Sequence, residues 1–259
     1  MNCNAPNRLP SFNMTEKVYV DKLKYDIIDH CNLNCLHCSH FSPYKPKKEV
    51  PLDRILSDLQ KMKARFKMDE FRIFGGEPLL HTNIIGVMKA CRDILGNEVK
   101  IVLLTNGLRL PQMKDSFFVA AKHYNILIEL TEYPINLDFE KIETNLKLRG
   151  IEYVIRKTDT FYNFMDPEGK QDATESFKQC IAYCTNTYFE NDQIYLCSYA
   201  KSVPFVNEHF GYKIEHNSVS VDAPTEVIKK YLNEPCTTCR FCRAGKQPEP
   251  WTTVKRETL

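Results

Sequence analysis

The sequence predicts an α/β fold built on a parallel sheet, followed by a smaller cysteine-rich region. Three observations predict it. Strand-like and helix-like segments alternate between residues 21 and 156, and such alternation gives parallel strands joined by helical crossovers. The reactive residues of that stretch fall at the carboxyl ends of the strand segments, where parallel sheets place their ligand sites. After about residue 160 the alternation stops, and residues 180–242 carry six of the chain's 11 cysteines.

Each element has its own signal. Residues 1–20 read as a loose lead-in, 21–160 as the core and 161–259 as an appended C-terminal region. Leu23, Tyr25 and Ile27 alternate as in a strand. Pro51 opens a helix in which Leu52, Ile55, Leu56, Leu59, Met62 and Phe66 recur at helical spacing. Residues 70–74 form a strand ending at Gly75-Gly76. Ile84, Val87, Met88, Cys91, Ile94 and Leu95 mark the apolar stripe of a second helix, which makes Cys91 a buried, inert thiol. Residues 99–104 are a strand, 110–122 a helix and 124–130 a strand. Phe139, Ile142 and Leu146 mark a helix, and 151–155 a further strand. Beyond residue 160 the one clear helix is near 225–232.

Composition narrows the function. A chain of 259 residues can bury a core without covalent staples. Its cysteines are too sparse for a disulfide scaffold, and their odd number forbids complete pairing. With 35 basic and 33 acidic residues there is no basic stripe to favour nucleic acid or a membrane surface. No apolar run approaches the ~20 residues of a membrane span. The first residues lack the order of a signal peptide. These features point to the cytoplasm, where clustered thiols bind metal or do chemistry.

The strongest signal is Cys31-Asn32-Leu33-Asn34-Cys35-Leu36-His37-Cys38. Three thiolates at gaps of three and two can hold one face of a cubane from a single loop. A [4Fe–4S] cluster takes four cysteines, so three leave one iron open. The alternatives are a zinc site completed by His37 or His40, or ordinary thiols, although zinc spacing usually comes as two separated pairs. Glu129 and Arg156 end strands and Tyr133 lies just beyond one, which makes them substrate-site candidates. His40 and Phe41 are placed to wall the cysteine loop.

Cys31, Cys35 and Cys38 match the CxxxCxxC motif of the radical S-adenosylmethionine enzymes, with His37 at the aromatic or imidazole position before the last cysteine. Gly75-Gly76-Glu77-Pro78 matches the family's GGEP motif, and Thr105-Asn106-Gly107 resembles its turn after the third strand. The resemblance covers residues 20–156. It implies a partial (β/α)6 TIM-like barrel whose open iron chelates the amino and carboxylate groups of S-adenosylmethionine. The backbone of Gly75, Gly76 and Glu77 would meet the methionyl amino group, which would explain the missing side chains there. His37 would lie near the adenine. One electron would release a 5′-deoxyadenosyl radical that takes a hydrogen atom from substrate, while the protein positions the C–H bond. The electron would come from a flavodoxin- or ferredoxin-type donor.

Cys180, Cys184, Cys197, Cys236, Cys239 and Cys242 form a second set. Taken alone they fit a structural zinc ribbon or reduced thiols equally. Beside the first motif they resemble the auxiliary-cluster extensions called twitch and SPASM domains. Cys180, eleven residues, Asp192, four residues and Cys197 fit that spacing, with Asp192 in place of the usual glycine. A second [4Fe–4S] cluster would take four of these six, with Cys180 and Cys197 plus one CxxC pair preferred. The expected reaction is oxidation of an alcohol on a small polar molecule such as a sugar or cyclitol. Epimerisation with a cysteine hydrogen donor, peptide maturation and a zinc-bearing interaction protein are the alternatives.

Overall fold

The computed structural model describes residues 16–181 and 186–255. Strand β1 (Val18–Asp26) begins inside the expected lead-in. Helix α1 (Leu52–Arg65) follows Pro51, whose fixed φ suits a helix start. It stops at Phe66, which opens β2 (Phe66–Phe74) instead of closing the helix. Then come α2 (Ile84–Leu95), β3 (Lys100–Thr105), α3 (Asp115–His123), β4 (Ile126–Glu132), α4 (Phe139–Leu148) and β5 (Tyr153–Lys157). Each lies within a few residues of its sequence expectation.

The five strands pair in parallel in the order β5-β4-β3-β2-β1. Their alternation assigns two faces. Leu23, Tyr25, Phe71, Ile73, Ile101, Leu103, Ile128 and Leu130 point to the helices and join Leu59, Met62, Val87, Met88 and Leu146 in the main core. The opposite face carries a small apolar group, Phe74, Val102, Leu104 and Leu127, together with the buried charges of Arg72 and Glu129. Cys91 is buried within the main core, as its place on the apolar stripe predicts.

The remaining chain is more ordered than its sequence suggests. It holds β6 (Thr160–Tyr162), α5 (Ala173–Ile181), β7 (Asn186–Glu190), β8 (Gln193–Tyr195), α6 (Ser198–Phe210), β9 (Val219–Ser220), α7 (Thr225–Asn233) and β10 (Pro248–Pro250). The sequence predicts an appendage over residues 161–259; in the structure β7 pairs in parallel with the free edge of β1, and β8 and β9 extend the sheet to eight strands. The sixth parallel strand thus adds beside β1, not beyond β5. Strands β6 and β10 pair with each other.

The β7–β8 hairpin explains Asp192. Asn191 and Asp192 both take positive φ, 49° and 62°, in the two-residue turn between paired Glu190 and Gln193. That is the geometry of a type I′ turn, which Asn and Asp tolerate along with glycine. Asp192 also meets Lys61 of α1 at 2.7 Å, a contact glycine could not make. Among the described residues, no helix is long and apolar enough to cross a membrane.

Candidate functional site

Chain 29–48 leaves the sheet at the end of β1 and returns beside it. Asp29 N–H donates to Lys48 O at 2.9 Å, and Val50 N–H donates to Ile27 O at 2.8 Å. The excursion carries Cys31, Cys35 and Cys38 over the carboxyl ends of the strands. All three line one cavity of about 570 Å³, with His37, His40, Gly75, Gly76, Glu77, Asn106 and Tyr133 around them. Pro78 does not line it; it starts a tight turn behind Glu77.

The glycine pair also has a steric reason within the fold. A Cβ on Gly75 would stand 2.3 Å from Ile28 O, and one on Gly76 2.0 Å from His30 O. Gly75 also takes φ +132°, which side chains rarely adopt. Gly76 N–H and Glu77 N–H already donate to Ile28 O and His30 O. Neither position has room for a side chain, because the end of β2 is pressed against the base of the cysteine loop.

Glu77 ties the next strand to this junction. Its buried carboxylate accepts from Thr105 Oγ1 at 2.7 Å, Asn106 N–H at 2.9 Å and Leu79 N–H at 3.0 Å. Burial outweighs those three bonds and pushes its carboxyl up to about 7. Asn106 then reaches the loop, donating from Nδ2 to Asn32 Oδ1 at 2.7 Å and lying 3.6 Å from Cys31 Sγ. The two motifs and the cysteine loop are therefore one hydrogen-bonded unit.

A second clamp comes from the distant C-terminal segment, which sequence reasoning missed. Glu249 Oε2 bonds His37 Nε2 at 2.9 Å. Leu36 N–H donates to Thr252 O, and Val254 N–H donates to Asn34 O. Trp251 Nε1–H donates to Cys35 Sγ at 3.2 Å. Burial raises the Cys35 thiol to about 11, with the indole bond acting in the opposite direction. The only available signal was one tryptophan in a proline-flanked tail.

A third clamp is α6. Phe41, at φ +56°, turns away from the cavity and packs with Tyr199, Val203 and Val206. His40 does wall the cavity; its Nδ1 donates to Asp26 Oδ2 at 2.9 Å. Lys201 of α6 donates to the same oxygen at 2.5 Å. Asp26, His40 and Lys201 are all buried.

Of the substrate candidates, Tyr133 lines the cavity, and burial beside the cysteines raises its hydroxyl well above the usual tyrosine range. Glu129 and Arg156 do not line it. Glu129 is instead ion-paired with Arg72 at 2.6 Å and Arg156 at 3.0 Å.

The C-terminal cysteines gather around a second cavity of about 290 Å³. Cys180, Cys197, Cys236, Cys239 and Cys242 all line it. Cys180 lies near the end of α5, and Cys197 caps α6, accepting from Ala200 N–H at 3.4 Å. A tight turn over Thr237–Phe241 holds Cys236 and Cys239 with their sulfurs 3.6 Å apart. That contact lowers the Cys236 thiol and raises that of Cys239. Cys184 and Cys3 lie outside the described residues. Cys180, Cys197 and Cys242 also line the larger cavity, so both cysteine sets face it.

The donor set of the first loop, three soft thiols with no fourth beside them in sequence, fits an iron–sulfur cluster with one open iron. Among the described residues no group of three His, Cys, Asp or Glu side chains is placed to hold a single metal ion.

Comparison with known proteins agrees with this reading. GTP 3′,8-cyclase of Limosilactobacillus fermentum is 34% identical over 95 residues, 35% of this chain and 27% of that protein. The enzyme of the same name from Trichodesmium erythraeum is 33% identical over 116 residues, 42% of this chain and 35% of that protein. The chain spans well under two thirds of these relatives' length. Among solved structures, BtrN in complex with AdoMet and 2-DOIA superposes with a TM-score of 0.57 at 14% identity, over 88% of this chain and 94% of that one. That likeness is one of fold. The Radical SAM superfamily profile matches residues 25–154, half of the chain, from the end of β1 to the start of β5. The chain belongs to the radical SAM superfamily, with a [4Fe–4S] cluster and S-adenosylmethionine as its cofactors.

Proposed function

We propose that this radical SAM enzyme oxidises a C–H bond on a small polar molecule, a sugar or cyclitol alcohol, with a second [4Fe–4S] cluster as electron acceptor. When bound, the first cluster supplies the electron that cleaves S-adenosylmethionine to a 5′-deoxyadenosyl radical. The observation that carries the proposal is the shared cavity. Cys31, Cys35 and Cys38 line it together with Cys180, Cys197 and Cys242. In a substrate held there, the carbon would lose a hydrogen atom to the 5′-deoxyadenosyl radical, the hydroxyl would give its proton to solvent, and the remaining electron would pass towards the second cysteine set. Tyr133, Phe161, Tyr162, Phe164 and Tyr199 give the same cavity an aromatic lining. The cysteines of the smaller cavity supply at least the four ligands such a cluster needs. Residues 161–259 would then serve as the auxiliary, twitch-type region. A flavodoxin- or ferredoxin-type protein is the proposed reductant.

Epimerisation is the second reading, and one observation favours it. Five described cysteines face a cluster that needs four. A thiol left over on the larger cavity could return a hydrogen atom to the substrate.

Anaerobic reconstitution tests the cluster count. Two cubanes give roughly eight iron and eight sulfide per chain, and Cys239→Ser should halve both. Four iron in the unaltered protein would exclude the second cluster. Incubation with S-adenosylmethionine, reductant and a panel of sugars and cyclitols tests the reaction. Alcohol oxidation gives a product two mass units lighter for each 5′-deoxyadenosine. A product of unchanged connectivity carrying solvent deuterium would establish epimerisation instead.

A further inference from the structure

Trp251 is the chain's only tryptophan, and its side chain is committed to the cysteine loop. The indole N–H donates to Cys35 Sγ at 3.2 Å. An indole has one donor and no acceptor, so this bond is its whole polar capacity. The ring rests on Tyr133, with centroids 5.6 Å apart and planes at 30°. Its backbone is fixed from both sides. Trp251 N–H donates to Asp159 O at 2.8 Å, β10 just before it pairs with β6, and Thr253 just after it bridges Cys35. The fixed backbone and the contact with Tyr133 hold the indole beside the cysteine loop.

Placement on that sulfur has a chemical consequence. Reducing a cluster adds negative charge, which spreads over the ligand sulfurs. An N–H dipole aimed at one sulfur therefore stabilises the reduced form more than the oxidised form and raises the reduction potential. Cys35 is 8% exposed, and water screens such a bond weakly at a buried sulfur.

We propose that Trp251 is a positioning residue that sets the reduction potential of the S-adenosylmethionine-binding cluster through its hydrogen bond to Cys35. The inference rests on the assignment of Cys35 as a cluster ligand. It makes the potential depend on the seating of the C-terminal segment, residues 248–254, on the loop. A tail drawn away from the loop would leave a cluster that is harder to reduce.

The test is an EPR-monitored redox titration of the reconstituted protein. It follows the reduced-cluster signal that changes when S-adenosylmethionine is added, which separates the first cluster from any second one. Trp251→Phe removes the N–H and keeps an aromatic ring against Tyr133; its midpoint should move to more negative potential. Biosynthetic replacement of the single tryptophan by 5-fluorotryptophan keeps the shape and makes the N–H a stronger donor; its midpoint should move the other way. A role in packing alone would not give opposite shifts. Unchanged midpoints in both proteins at full iron content would overturn the proposal. Should Trp251→Phe fail to load iron, the fluorinated protein decides by itself, and an unchanged midpoint there is equally fatal. Absence of any S-adenosylmethionine-responsive signal in the unaltered protein would instead remove the ligand assignment.

Discussion

Glu77 joins two strand ends through three hydrogen bonds, and burial raises its carboxyl to about 7. An unfolded glutamate titrates at its ordinary value near 4.5. Between those two values the folded protein holds a proton that the unfolded chain has lost. Stability should therefore fall as pH rises from about 4.5 to 7, by linkage. Anaerobic denaturant unfolding at several pH values would check this, and Glu77→Gln should flatten the slope within that window. The buried Asp26–Lys201 pair behaves in the opposite sense. Burial alone would raise Asp26, but His40 and Lys201 hold it below the usual carboxylate range. Its contribution is present above the ordinary carboxylate value and is lost as pH falls below it. Burial would lower Lys201, but Asp26 and Glu190 raise it, so its contribution is lost only above the ordinary lysine value. Lys201→Met strands a buried carboxylate and should cost about 3–5 kcal/mol in unfolding free energy. Adding Asp26→Asn to that variant should recover most of the loss.

The end of β2 and the base of the cysteine loop form one joint. A methyl group on Gly76 has no room, because the obstacle 2.0 Å away is the backbone oxygen of His30. Gly76→Ala should therefore displace the loop and reduce iron uptake by the first cluster, measured as iron per chain, while α1 to α4 keep their helical circular dichroism. The elements of this half could be read in the sequence because their apolar residues follow clean periods. Leu59 and Met62 recur at helical spacing, and Leu23 and Tyr25 alternate. Helix α6 escaped because Pro204 stands inside it and because its buried face includes Lys201 and Ser202, which read as surface. The β7–β8 hairpin escaped because its turn uses Asn191-Asp192 without a glycine. The C-terminal clamp could not be read at all. Its bonds join residues more than 200 positions apart, such as Trp251 to Cys35 and Glu249 to His37, and no local period encodes such a contact.

The molecule is a mostly parallel sheet that grows on both sides of its first strand. Strand β1 pairs with β2 on one side and β7 on the other, so it carries the first cysteine loop between the core and the C-terminal region. This topology is why both cysteine sets look onto one cavity. The cysteine triplet and the GGEP motif were readable from spacing; the meeting of the two cysteine sets depended on β7 returning to β1. The central claim is that Cys31, Cys35 and Cys38 hold the cluster that opens S-adenosylmethionine. The direct measurement is 5′-deoxyadenosine formed by the reconstituted, reduced protein, compared with its Cys35→Ala variant. The unaltered protein should form 5′-deoxyadenosine, and the variant should form none. Equal formation by the two proteins would contradict the assignment.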